Sequence, residues 1–174
     1  RMVHMPTPQI SYLPASATDI DADVSLLLLP PLADDGPDLD AWAGLADALR
    51  AIEFSGKPGS FARVPLAGAP GGSVAVAGVG TAATAGAYRD AAGSGIRALG
   101  QVDAVDVRAP GAPDGSWSAI AEGAGLGGYT FATYKKSGGK RRAARVIVVS
   151  PEDISDADVR AAQVVVDAVS LVKE

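Results

Sequence analysis

Cysteine is absent from these 174 residues, and histidine occurs once, at His4. The first absence excludes disulfides, thiolate metal sites and cysteine nucleophiles, and it suits a reducing compartment. The second leaves no histidine in the body of the chain for a Ser-His-Asp triad. His4 lies in Arg1-Met2-Val3-His4-Met5, which has the look of an expression-vector scar and lacks the apolar core of a signal peptide. Residues 1–9 are therefore expected to be a disordered leader outside the fold. Long hydrophobic runs are lacking too. The longest, 24–29, is stopped by Pro30-Pro31, well short of the ~20 residues of a membrane span. The expectation is a soluble, cytoplasmic protein with no membrane partner. A surplus of positive charge is also missing. The net charge of −5 speaks against a general nucleic-acid binder, whose phosphate contacts need Lys and Arg in excess.

What is present is ordinary globular material. Hydrophobic residues make up 48% of the chain and charged residues 20%, proportions that support one domain with a real core. Three apolar, β-prone runs at 23–29, 73–79 and 145–149 are bounded by turn residues. Their continuous rather than alternating character predicts strands covered on both faces. Weaker strands are expected at 62–67, where Pro65 favours an edge, at 104–108 and at 10–13. Helical stripes fall between them. They cover 39–52 with Asp38 as N-cap, 84–99 stopped by Gly100, 116–134, and a last segment behind Ser155 with Asp156 and Asp158 in its first turn. Alternation of strand and helix predicts a three-layer α/β/α fold with a mixed, mainly parallel sheet. The body of the domain is expected over 10–154, followed by a helix over 155–174.

Four features bear on chemistry. Gly78-Val79-Gly80 follows a strand and precedes a helix, but the spacing of a dinucleotide or P-loop motif fails, so a tight turn is the expected role. Asp19/Asp21/Asp23, Asp34-Asp35 and Glu152-Asp153 all fall in loops or at element ends, where carboxylates cap helices and solvate turns. No catalytic, metal or cofactor-binding residue is assigned. Lys135, Lys136, Lys140, Arg141, Arg142 and Arg145 make a basic loop with two glycines. It is either a solvated connection with cations near a helix C-terminus or a contact for nucleic acid or an acidic partner. Finally, the helix over 116–134 carries Gly123, Gly125, Gly127 and Gly128, each costing about 1 kcal/mol against alanine. A helix that accepts this cost gains a close backbone approach to a neighbour.

That last segment carries a resemblance. Glu122, Gly123, Leu126, Tyr129, Phe131, Tyr134 and Lys135 meet a pattern E-G-x-x-L-x-x-Y-x-F-x-x-Y-K that resembles the signature of the N-terminal domain of leucyl (cytosol) aminopeptidases. The stretch 74–80 is similar to a strand of that domain ending in G-L-G, and 161–174 resembles the long helix leading into the peptidase domain. The likeness covers about residues 20–174. It implies a macro-domain-like fold joined to a catalytic domain with two divalent metals, zinc or manganese, in a homohexamer that releases N-terminal amino acids from peptides. The family's N-T-D-A-E-G-R stretch is missing, since Ala121-Glu122-Gly123 lacks its preceding Asp and following Arg. No catalytic residue carries over, and the chain ends about where the catalytic domain would begin. The implied role is a non-catalytic domain for oligomer assembly and active-site access, with its own catalytic domain as partner. Two alternatives stand beside it: a standalone macro-like module for a nucleotide or ADP-ribose, and nucleic-acid binding through 135–145.

Overall fold

The computed structural model describes residues 7–128 and 143–172. Six strands form one sheet: β1 (Gln9–Pro14), β2 (Val24–Leu29), β3 (Phe61–Pro65), β4 (Ser73–Gly78), β5 (Val102–Arg108) and β6 (Ala143–Ser150). Their order is β1-β6-β5-β2-β4-β3. Every pairing is parallel except β3 with β4, so the sheet is mixed and mainly parallel. Pro65 closes the edge strand β3, where its missing N–H removes no central ladder bond. Among the described residues four α-helices cover the sheet: α1 (Leu45–Ala51), α2 (Ala85–Leu99), α3 (Ser116–Gly127) and α4 (Asp156–Val172).

Alternation along β2 explains the layers. Leu26 and Leu28 enter one core with Tyr88, Ile96, Trp117 and Ala162 from α2, α3 and α4. Leu27 and Leu29 enter another with Leu45 and Leu49 of α1. All four leucines are fully buried, and each such side chain contributes about 1.5–3 kcal/mol. Among the described residues three helices thus share one face, and α1 alone lies on the other, over β2, β4 and β3.

The glycine-rich helix behaves as its composition demands. A Cβ on Gly123 would strike the carbonyl oxygen of Arg89, and one on Gly127 would lie 2.5 Å from that of Gly93, so α3 meets α2 backbone to backbone. Gly125 serves a different neighbour, since its Cβ would fall 2.6 Å from Val166 Cγ2 of α4. Arg89 and Glu122 bridge the rim of the α2–α3 contact at 3.5 Å. The part of the expected helix beyond Gly128 lies outside the described residues.

Two segments differ in their bounds from the sequence expectation. The helix placed over 39–52 starts only at Leu45, capped by Gly44 in the left-handed region. Asp38 does not cap it; its carboxylate accepts the N–H of Asp40 at 2.8 Å. Turns through Leu39 and Trp42 continue the apolar spacing without the helix, and Ile52, the last of the stripe, is exposed. Gln9, set in the leader, opens β1, and Thr7 and Pro8 just before it are bonded to α4 as well. Gln163 of α4 accepts the Ile10 N–H at 2.7 Å and donates to the Pro8 carbonyl at 3.0 Å, while the Thr7 hydroxyl donates to Asp167. α4 itself begins as expected. Ser155 Oγ accepts the Asp158 N–H at 3.2 Å, and the Asp158 carboxylate accepts the Ser155 N–H at 3.0 Å and the Ser155 hydroxyl at 2.9 Å. Those bonds from the Ser155 backbone and hydroxyl hold the Asp158 carboxyl below the usual aspartate range.

Changing Gly123 or Gly127 to Leu is expected to destabilise the fold by about 1–3 kcal/mol through overpacking. Thermal melts followed by circular dichroism check this, and wild-type melting temperatures would rule out the backbone contact.

Candidate functional site

Of the basic residues singled out, Lys135, Lys136, Lys140, Arg141 and Arg142 lie outside the described residues, as do Tyr129, Phe131 and Tyr134. Arg145 is not a loop residue. It belongs to β6, and its guanidinium stands 3.5 Å from the Asp21 carboxylate. Its position opposite Gln9 of β1 and Ala104 of β5 leaves it a strand cation with an acidic partner. Gly78 and Gly80 are accounted for by packing. A Cβ on Gly78 would meet the Lys57 carbonyl and Ser60 Oγ. Gly80 adopts a positive φ of 85° while its N–H reaches the Gly56 carbonyl at 2.8 Å. The same loop thus fills the space beside both glycines, with the Lys57 carbonyl at Gly78 and the Pro58 ring at Gly80.

The loop carboxylates mostly do local work. Asp23 accepts the Ala104 N–H at 2.8 Å, which fastens the segment between β1 and β2 to β5. Glu152 accepts the N–H of Gly115, the residue capping α3, where a helix N-terminus favours negative charge. The carboxylate that matters most was missed from sequence. Asp106 of β5 is fully buried. Its two oxygens are both used: Oδ1 accepts Ser25 Oγ–H at 2.6 Å and Oδ2 accepts Arg108 Nε–H at 3.0 Å. Arg108 in turn places its guanidinium carbon 5.7 Å from the Trp42 ring centroid. A buried charge persists only when paired and hydrogen-bonded, and this one is. The signal available was the Asp106-Val107-Arg108 spacing, since residues two apart in a strand share a face.

This network borders a crevice. The chain leaves β2 toward α1 on one face of the sheet and leaves β5 toward α3 on the other. Between the two departing loops lies a cavity of about 300 Å³ lined by Trp42, Arg108, Gly111, Trp117, Ser150 and Glu152 among others. Its floor is rigid. Trp117 Nε1–H donates to the Val148 carbonyl at 3.3 Å, and Tyr12 meets the Trp117 ring edge-on at 6.2 Å between centroids. Tyr12 also donates its hydroxyl to the Glu152 carbonyl. Among the described residues, no three His, Asp or Glu side chains converge as metal ligands, and no helix is long and apolar enough to cross a membrane.

Comparison with known proteins gives a consistent picture. Residues 31–138 match the sequence model of the "Cytosol aminopeptidase family, N-terminal domain". A protein of Leifsonia xyli subsp. xyli, named "Probable cytosol aminopeptidase", is 36% identical over 176 residues, covering 97% of this chain and 35% of that protein. A mutant of tomato leucine aminopeptidase superposes with a TM-score of 0.74 at 19% identity, over 97% of this chain and 38% of its own. The bottromycin maturation enzyme BotP, in complex with Mn, gives a TM-score of 0.62 at 26% identity, over 86% of this chain and 30% of its own. The chain spans about a third of the length of the curated relatives it matches.

Ser25→Ala removes one of the two donors to a fully buried carboxylate. It is expected to destabilise the fold by about 1–3 kcal/mol, measured by urea unfolding. A variant as stable as the parent would show that Ser25 adds nothing to the pairing of Asp106.

Proposed function

Because the chain belongs to the cytosol aminopeptidase family, as its N-terminal domain, we propose that it is the non-catalytic part of a cytoplasmic leucyl aminopeptidase that releases N-terminal amino acids from peptides. The observation that carries this reading is the match over residues 31–138 to the N-terminal domain of that family. In this reading the two-metal chemistry belongs to a catalytic domain, and zinc or manganese is held there. The BotP structure with Mn supports a divalent metal in the parent. The residues described here do not fit such a centre, since no cluster of carboxylate or histidine ligands converges among them and two-metal hydrolysis needs convergent ligands. The domain's own work is then structural: it helps assemble a homohexamer and shapes access to the active site.

The two alternatives fare unevenly. A nucleotide or ADP-ribose would be expected in the crevice between the loops after β2 and β5. There the N-terminus of α3, the natural seat of a phosphate, already holds the Glu152 carboxylate. Nucleic-acid binding through 135–145 keeps only the charge run in its favour, with Arg145 drawn to Asp21.

The purified chain is expected to show no turnover of leucine anilides with zinc, manganese or magnesium. Metal-dependent hydrolysis that survives removal of contaminating peptidases would overturn the non-catalytic role. The isolated domain is also expected to be a monomer, or a dimer weaker than about micromolar. Among the described residues only Ile52 and Val164 are large hydrophobics standing exposed, which is little for an interface of standard ~1,600 Å² size. The avidity of a linked catalytic domain is absent as well. Sedimentation velocity over a range of concentrations reads this out. A hexamer persisting at nanomolar chain would mean that this domain drives assembly unaided.

A further inference from the structure

We propose that the crevice between the loops after β2 and β5 binds a free α-amino acid or dipeptide, Arg108 taking its carboxylate and Glu152 its ammonium group. The place is the first reason. In open α/β sheets ligands settle outside the carboxyl ends of the strands, where neighbouring strands send their connections to opposite faces. Here β2 and β5 are adjacent, and α1 and α3 depart to opposite cores. The volume, about 300 Å³, sits at the lower end for small-molecule pockets.

The chemistry of the walls names the ligand class. Arg108 is prepared as an anion receptor. Its Nε is spent on buried Asp106 and its plane lies by Trp42, so little rotamer freedom is left to lose on binding. Among the described residues nothing accepts from its terminal nitrogens, which suit a carboxylate two-pronged. Glu152 works in the opposite sense. One oxygen is held by the Gly115 N–H, and the charge remains to attract a cation, with Asp38 and Asp114 also on the lining. A phosphate would meet three carboxylates there. A zwitterion satisfies both ends, and Trp42 with Pro110 and Pro113 offers apolar surface for a side chain. The choice of leucine as first probe rests on the aminopeptidase reading, whereas the choice of a zwitterion rests on Arg108 and Glu152.

The chain contains two tryptophans, and both line this crevice, so its intrinsic fluorescence reports on the site. The 174-residue protein is titrated with L-leucine, leucyl-glycine, N-acetyl-leucine, leucinamide, ADP-ribose and inorganic phosphate. A saturable change with leucine or leucyl-glycine is expected, weakened about tenfold or more when either charged end of the ligand is blocked. Arg108→Met, which keeps a stem over Trp42, and Glu152→Gln, which keeps an acceptor for Gly115, are each expected to weaken binding by a similar factor. Circular dichroism confirms folding. If Arg108→Met unfolds, Glu152→Gln and the blocked ligands decide. No saturable response up to about 10 mM, a weak-binding limit, would overturn the proposal. So would equal responses from blocked and free ligands, wild-type binding in Glu152→Gln, or tighter binding of ADP-ribose or phosphate. The aminopeptidase reading does not depend on this result, because it rests on the match over residues 31–138 and its test is turnover, not leucine binding to this domain.

Discussion

How closely two helices can approach is set by what stands between them, and between α2 and α3 almost nothing does. Gly93, Gly123 and Gly127 bring backbone against backbone, where larger side chains would hold two helices apart. The six-stranded sheet is roughly 24 Å wide from the ~4.8 Å strand spacing. The close pair leaves room for α4 on the same face, out to β1, where Gly125 admits Val166 and Ile10. Three helices are thereby committed to one side of the sheet. Among the described residues the other side receives a single helix, the seven-residue α1, and much of what is unusual about the domain follows from that imbalance.

Beyond the reach of α1, the second face of β5 and β6 is roofed by irregular chain. The segment 15–23 runs from the Ser150 carbonyl at one end to Ala104 at the other, and the turns of 38–44 bring in Trp42. Extended chain cannot seal a sheet as a helix does, and a polar residue beneath it must find partners of its own. Asp106 does so with one neighbour across the ladder, Ser25, and one on its own strand, Arg108. Replacing such a group by a hydrophobe of similar shape is often neutral in stability, while removing one partner is not. The arginine's stacking on Trp42 then couples the roof to the floor, so the loop after β2 is held where the crevice needs a wall.

The layered fold was legible because central strands buried on both faces leave an unbroken apolar record, as in 24–29 and 145–149, and because Thr84 and Ser155 mark helix starts by their own side-chain chemistry. The glycines at 123 and 127 announced a close contact through the cost they impose. The helix over 39–52 was misjudged for a physical reason. Leu39 and Trp42 pack against the second core from turns whose spacing imitates a helix, so periodicity alone does not tell them apart. Asp106 escaped notice because a single carboxylate in a strand reads as solvent-facing. Its burial depends on Ser25, 81 positions away, and on a roof that no local pattern describes. The crevice was illegible for the same cause, since it exists only once the loops after β2 and β5 diverge.

The position of β1 has a temporal side. Among the described residues this first strand pairs only with β6, the last one, in a register that sets Gln9 against Arg145 and Pro14 against Ser150. Pairings so distant in sequence raise contact order and slow folding, because the loop must close before the ladder rewards it. During synthesis, at about 5–20 residues per second, β1 emerges on the order of ten seconds before the strand it needs. For that interval Ile10, Tyr12 and Leu13 have no ladder to join, and the sheet's β6 side is missing altogether. Gln163 and Asp167, which clasp Thr7 to Ile10, arrive later still. The amino-terminal strand is thus a latch closed from the other end of the domain, and the cell must keep it from pairing elsewhere until α4 is made.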